Sequence, residues 1–314
     1  MTFPLIWVGG LVTTYDAGMA VPDWPGTYGY NLFLYPWATW FFGPWDLFIE
    51  HGHRLLAALA GLVVIFMVVS TYQVKVPPNV RWSAWAALCL VLFQGGLGGA
   101  RVLFDARTIA MLHGCIGPSF FAFAVFTAVS SSRFWQSRCA VVSKRAAGIR
   151  RLALATALLA WLQLLLGAQL RHVAEMTAPS YFSLFVVFHV FVAFVLLGHG
   201  SVLAARMFSL GRSGYVLQVI STLLVVLLLA QIALGASSWV VKYGWPVWFA
   251  DWSYAASYTV QAASLWQAVV VTAHVAMGAV ILSLAVICAV TSFRFLRSEQ
   301  PVAAPSGSLV GCPS

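Results

Sequence analysis

The sequence predicts an all-α integral membrane protein: eight transmembrane helices in two pseudo-symmetric four-helix bundles, with both termini cytoplasmic. Three observations predict it. Hydrophobic residues make up 61% of the 314-residue chain and charged residues only 8%, against roughly 25% charged in a soluble domain. So few charges cannot coat a water-facing surface, and the chain must meet lipid. Apolar runs of the length that crosses a bilayer recur along the chain, and the loops between them alternate between basic and acidic.

The first run, residues 1–14, would be about 21 Å long as a helix and is the weak member of the eight. Seven more lie at roughly 50–74, 83–100, 109–129, 152–170, 183–205, 216–236 and 267–291, near the ~20 residues that a bilayer core requires. One set of loops holds Lys75 and Arg81; Arg133, Arg138, Lys144, Arg145, Arg150 and Arg151; Arg206 and Arg212; then Arg294 and Arg297. These are 12 of the 17 basic residues. The other set holds Asp16, Asp23, Asp46, Glu50, Asp105, Glu175 and Asp251, seven of the eight acids. A Lys/Arg excess marks cytoplasmic loops, so the first set is inside. The net charge of +9 is then a topology signal, and no nucleic-acid partner is expected. Neither a cleavable signal peptide nor a transit peptide is expected at the start, which favours a bacterial cytoplasmic membrane.

The basic loop divides the chain. Residues 1–130 form an N-terminal half, 131–151 a basic cytoplasmic linker, 152–295 a C-terminal half, and 296–314 a disordered cytoplasmic tail. A small-residue motif stands near the outward end of each odd run: Gly9-Gly10, Gly98-Gly99, Gly167 and Gly235. Glycine lets helices approach closely in lipid, but four in the same position suggest a duplicated four-helix unit. The outward stretches 15–49 and 237–266 are long and rich in aromatic residues. Trp24, Trp37, Trp40, Trp45, Trp245, Trp248 and Trp252 form either an interfacial belt or caps over an outward site. Cys89, Cys115, Cys139, Cys288 and Cys312 have no ligand spacing, so neither a disulfide framework nor a zinc site is indicated.

His53, His113, His189 and His274 carry the chemistry. Each lies about 4 to 8 residues into an even-numbered run from its outward end, a shared layer about 6–12 Å deep. Ionisable groups at such depth are expensive and mark function. Zinc or copper would recruit carboxylate or thiolate from the same layer. Glu50 is the only acid within a turn, and no cysteine joins them. Paired neutral imidazoles suit the two axial positions of a haem in a helix bundle, pairing His53 with His113 and His189 with His274. Glu50 and His53 share a helix face, so the carboxylate could take protons from a reacting haem edge or merely orient a ring. Arg54 could pair a haem propionate or anchor its helix at the headgroups; Arg101, Arg171 and His172 stand at the outward surface, where each reads first as an interfacial residue and second as a propionate partner. His51 has no evident haem role. His199, about 15 Å deeper than His189 and some 80° around the helix, reads as a packing residue.

The runs VGGLVTTYDAGMAVPDWPGTYGYN and FIEHGHRLLAALAGL resemble the opening of the haem A synthase family, with its GG start, PDWP-type loop and E-x-x-H-R motif. QGGLGGARV, MLHGCIG, LLGAQLRH, VFHVFVAF, QIALGASS and TAHVAMGA follow in the family's order, so the resemblance covers about residues 5–290. It implies oxidation of the C8 methyl of haem O to a formyl group by successive hydroxylation, giving haem A for cytochrome oxidase. It also implies Glu50 as the catalytic residue, His53 and His113 as substrate-haem ligands, and haem b on His189 and His274. Implied partners are haem O synthase, cytochrome oxidase assembly factors and an electron partner. The haem sites would lie near the periplasmic face. Some members carry a cysteine pair in the first outward loop, and this chain has none there. The alternative is a di-haem b-type electron-transfer or haem-handling protein without methyl oxidation. A repeat-built transporter is disfavoured because its site would lie near the bilayer midplane.

Overall fold

A computed structural model describes residues 1–137, 140–174 and 176–299. Eight helices form the body: α1 (Thr2–Thr14), α2 (Trp45–Gln73), α3 (Pro78–Leu103), α4 (Arg107–Ser131), α5 (Ala146–Arg171), α6 (Pro179–Phe208), α7 (Tyr215–Tyr243) and α8 (Leu265–Phe295). The last seven are long and apolar enough to cross a membrane, whereas α1 is a 13-residue apolar helix. At 1.5 Å per residue, α1 reaches only about 20 Å. Seven spans are therefore apparent from length and hydropathy, and the eighth expected from the sequence remains a short helix packed on the bundle.

The helices start where proline or a break in the chain allows. Pro44 and Pro77 precede α2 and α3, and Pro179 is the first residue of α6, where a missing N–H costs no helical hydrogen bond. Because α2 begins at Trp45 rather than near residue 50, its histidine is deeper than the sequence suggested. His53, His113, His189 and His274 lie six to ten residues from the starts of α2, α4, α6 and α8. That places all four within about 9–15 Å of those helix ends.

α8 is the central helix. Half of its most apolar stretch is buried, against 11 to 22% for the other spans. It packs against α5 and α7 and also against α1 and α4, so it joins the two expected halves. Phe66, Leu92, Phe191, Val226 and many other large apolar side chains face outward, as a lipid-facing surface requires. Core packing is uneven. One continuous cluster, including Ile149, Leu196, Leu203, Met207, Leu224 and Ile281, fills α5–α8. Along α1–α4 only two small clusters form, Val12 with Ala17 and Ile49, and Val64 with Ala87 and Phe120.

The basic stretch after α4 is more ordered than a linker. It contains a short helix, Arg133–Ser137, and strand β1 (Val141–Val142), which pairs in parallel with β2 (Leu296–Arg297). Residues 296 and 297, expected to open a disordered tail, are instead held by backbone pairing and by a bond from Arg150 Nη1 to the Leu296 carbonyl. Residues 300–314, Arg138, Cys139 and Glu175 lie outside the described residues.

Candidate functional site

Each histidine of the layer sits against a glycine on the preceding helix. A Cβ on Gly9, Gly98, Gly167 or Gly235 would approach Cε1 of His53, His113, His189 or His274 at 2.9, 3.1, 3.2 or 3.1 Å. The glycines whose recurrence suggested a duplicated unit thus leave room for the four rings. The rings pair as expected. His53 and His113 have centroids 6.4 Å apart at 81°, and His189 and His274 have centroids 6.3 Å apart at 72°.

That separation has a chemical meaning. Two metal–nitrogen bonds of about 2.0 Å, plus about 1.1 Å from each nitrogen to its ring centre, put opposed imidazoles about 6.2 Å apart across one ion. Both pairs therefore fit the two axial positions of a haem. Among the described residues no group of three or more His, Cys, Asp or Glu comes together to hold a metal ion. Cys89, Cys115 and Cys288 are free thiols. A two-histidine site in apolar surroundings suits a metal whose remaining ligands come from a macrocycle.

Glutamine on the preceding helix reaches three of the histidines, a feature missed in the sequence. Nε2 of Gln94, Gln163 and Gln231 donates to the main-chain carbonyls of His113, His189 and His274 at 2.8, 3.0 and 2.9 Å. His113 Nδ1 lies 3.1 Å from the Gln94 carbonyl and donates to it as the Nδ1–H tautomer, which leaves Nε2 free to bind a metal. Gln163 Nε2 also lies 3.3 Å from His189 Nε2. The signal was present in the sequence: each glutamine stands four residues before a motif glycine.

The EHGHR segment divides its labour. His53 faces the bundle, while its neighbours grip the loop between α1 and α2. Glu50 is 3% exposed; its Oε2 accepts from Val21 N at 2.9 Å and its Oε1 pairs with Arg54 at 2.8 Å. Arg54 also donates to the carbonyls of Val21, Asp23 and Gly26. With those partners its guanidinium is committed to the loop, and the expected propionate role has little donor capacity left. His51 is buried, with Nδ1 2.9 Å from Thr27 Oγ1 and its ring between Tyr35 and Trp40. Asp23 closes the loop by accepting from Tyr28 N and Gly29 N. Burial alone would raise the Asp23 carboxyl, but these donors and the Arg54 guanidinium outweigh it and hold the group below 3.8.

Arg101 Nη2 donates to the Gly18 carbonyl at 2.6 Å. Arg171 reaches from α5 to the end of α1, bonding the Gly10 carbonyl at 2.7 Å and Thr14 Oγ1 at 3.0 Å, and its buried Nη1 has no partner. Burial, Arg171 and Arg101 push His172 down to about 4, so it is neutral near pH 7. His199 Nδ1 is buried without a partner, apart from both pairs. The glycines of α1 border both sites: Gly9 faces His53, and a Cβ on Gly10 would meet Thr272, two residues before His274, at 2.7 Å.

The tryptophans split between the two expectations. Trp24 lies over Gly99, and Trp40 stacks on Phe48 with its Nε1 donating to the Phe48 carbonyl. Trp37 and Trp248 are largely exposed, as in an interfacial belt. Trp245 and Trp252 pack with Phe249 and Tyr254 in the loop between α7 and α8.

Comparison with known proteins adds to this geometry. The family model described as "Cytochrome oxidase assembly protein" matches residues 44–252, about two thirds of the chain. The chain is 29% identical over 184 residues to the heme A synthase of Shouchella clausii, covering 56% of this chain and 57% of the relative. It is 29% identical over 188 residues to that of Symbiobacterium thermophilum, covering 57% and 58%. The matched region thus spans less than three fifths of the length of these relatives. No solved structure matches the chain significantly.

Proposed function

The chain belongs to the haem A synthase family of cytochrome oxidase assembly proteins, and from that premise we propose that it converts haem O to haem A. Each of two hydroxylations of the C8 methyl would take its oxygen from water and pass two electrons to an outside acceptor and two protons to solvent, and loss of water from the resulting gem-diol would give the formyl group. The observation that carries the reading is the matched histidine pairs, with centroids 6.4 and 6.3 Å apart, of which the first has a buried carboxylate, Glu50, three residues before one of its histidines on the same helix. His53 and His113 would hold the substrate haem, and His189 and His274 would hold haem b. When bound, haem b supplies one-electron chemistry between the substrate site and an outside electron partner.

The chain's own groups then have distinct tasks. Glu50 lies one turn from His53 on the same face, where it can accept protons released from the substrate while its bonds to Val21 and Arg54 fix its position. Arg171, with a buried unpaired Nη1, is the best placed of the three arginines to meet a propionate. Arg101 is the second. The charge asymmetry of the loops supports cytoplasmic termini and haem sites near the periplasmic face of a bacterial cytoplasmic membrane. Haem O synthase and oxidase assembly factors are the partners this reading implies.

A second reading is a di-haem electron carrier without methyl oxidation. The observation favouring it is that both Glu50 oxygens are already engaged, as a purely structural carboxylate would be. Haems extracted from the purified protein, expressed beside a source of haem O, separate the two. Haem A or its hydroxylated precursor together with haem B supports the synthase; haem B alone, with haem O unconverted, supports the carrier.

A further inference from the structure

Helices α3, α5 and α7 each act on the next helix at two points one turn apart. The glycine faces the imidazole, and the glutamine four residues earlier holds the main-chain carbonyl of that same histidine. A small residue one turn beyond the histidine admits the amide. A Cβ on Gly117 would meet Gln94 Nε2 at 3.2 Å, and one on Gly278 would meet Gln231 Nε2 at 3.3 Å; Ala193 holds the equivalent place after His189. Mere packing does not call for this arrangement. Oε1 of all three glutamines is buried without a partner, an expense in an apolar interior.

α1 departs from the pattern. Its glycine is present, but Leu5 stands where the glutamine would be. Among the described residues no side chain donates to the His53 carbonyl, whereas His189 and His274, whose Nδ1 atoms are as unpartnered as that of His53, each have a glutamine on their carbonyl. The α2 segment is held instead from the other side, through Glu50 and Arg54 to the loop at Val21–Gly26. This half of the molecule also has the smaller apolar clusters.

We infer that Gln94, Gln163 and Gln231 are positioning residues that fix three of the four axial histidines, and that His53, which has no such brace, is the ligand that yields when the substrate haem enters or leaves. The inference rests on the haem reading and deepens it. A resident cofactor needs both ligands held, because each fixed ligand slows its loss. A substrate site needs one ligand that lets go, and a product that never left would end turnover. The braced partner, His113, keeps the haem oriented meanwhile.

Carbon monoxide tests this, because it binds a ferrous haem with two histidine ligands only where one of them leaves. The full chain is purified with both haems bound, reduced, and mixed with carbon monoxide under optical detection. In the parent protein one haem should react and the other should stay six-coordinate. Leu5→Gln should slow the reacting haem by about fivefold, the factor carried by one net hydrogen bond. Gln163→Leu and Gln231→Leu, which remove a brace without adding a polar group, should each make the second haem reactive. A Leu5→Gln rate within about twofold of the parent, or a second haem still inert in both glutamine variants, overturns the inference and leaves the haem reading standing. Unchanged haem content in both His113→Ala and His274→Ala overturns the haem reading, and the inference falls with it.

Discussion

The His53–His113 and His189–His274 pairs have nearly the same ring separation, 6.4 against 6.3 Å, and each ring faces a glycine. Their surroundings differ. The first pair lies beneath a loop fastened by Glu50, Arg54, His51 and Asp23, with only small apolar clusters around it. The second belongs to helices that share one continuous core, and the loop before α8 is built from aromatic rings packed on one another. The contrast teaches that ligand geometry and site chemistry are set separately. Glycine and histidine at fixed depth set the same ring spacing in both pairs, and on the proposed function it is the surroundings that would separate a held cofactor from an exchanging substrate.

The largest effect expected is at the second seat. His274→Ala or His189→Ala should abolish the haem b spectrum, because among the described residues no third His, Cys, Asp or Glu joins the pair, and conversion should stop with it. An unchanged spectrum in either variant would break the pairing on which the comparison stands. Next is Glu50→Gln, which keeps a polar group near Val21 and Arg54 and removes the carboxylate charge. Loss of a positioned proton acceptor costs about 10²–10⁴-fold, so haem A formation should fall by at least a hundredfold on that basis while haem b content stays at the parent level. Undiminished haem A formation would remove Glu50 from the chemistry and leave it as a loop anchor.

Smaller still are the glycine seats. Gly235→Ala places a methyl 3.1 Å from His274 Cε1, and Gly9→Ala places one 2.9 Å from His53 Cε1. Overpacking of this kind costs about 1–3 kcal/mol. Gly235→Ala should lower haem b occupancy, and Gly9→Ala should weaken substrate binding with haem b intact. Equal loss of both haems in each variant would show that the two seats are not independent.

Much of this was legible in the sequence. Seven of the eight expected spans, the four histidines, their pairing and the glycines all follow from depth and spacing, because a bilayer makes each polar residue conspicuous. The start of α2 at Trp45 was not legible, because Trp45–Ile49 reads like the aromatic loop before it. The loop clamp was hidden for a different reason: Arg54 bonds carbonyls of Val21, Asp23 and Gly26, about thirty residues away, and a backbone acceptor leaves no mark in residue identity. The glutamines could have been found. Gln94, Gln163 and Gln231 recur four residues before a glycine, but an uncharged polar residue in a helix invites less suspicion than a histidine.

The smallest expected effect concerns the two loops and pH. Asp23 has its carboxyl held below its ordinary 3.8 by the N–H groups of Gly29 and Tyr28 and by Arg54. A depressed carboxylate contributes stability that is fully present above the ordinary value and is lost as pH falls through the folded one. Acidification from above 3.8 down through the lower folded value should therefore loosen residues 21–30, read as a fall in hydrogen-exchange protection relative to the intrinsic rate at Tyr28 and Gly29, the two donors to Asp23. Asp23→Asn should show the faster exchange already at neutral pH and little further change on acidification. The loop between α7 and α8 has no such carboxylate cap on its backbone among the described residues, its turn near α8 being held by Gln267 Oε1 accepting from Ala263 N. Its exchange should follow only the intrinsic pH dependence. Equal loosening of both loops would show that acid acts on the whole bundle, and the first loop would then lose its claim to a separate electrostatic fastening.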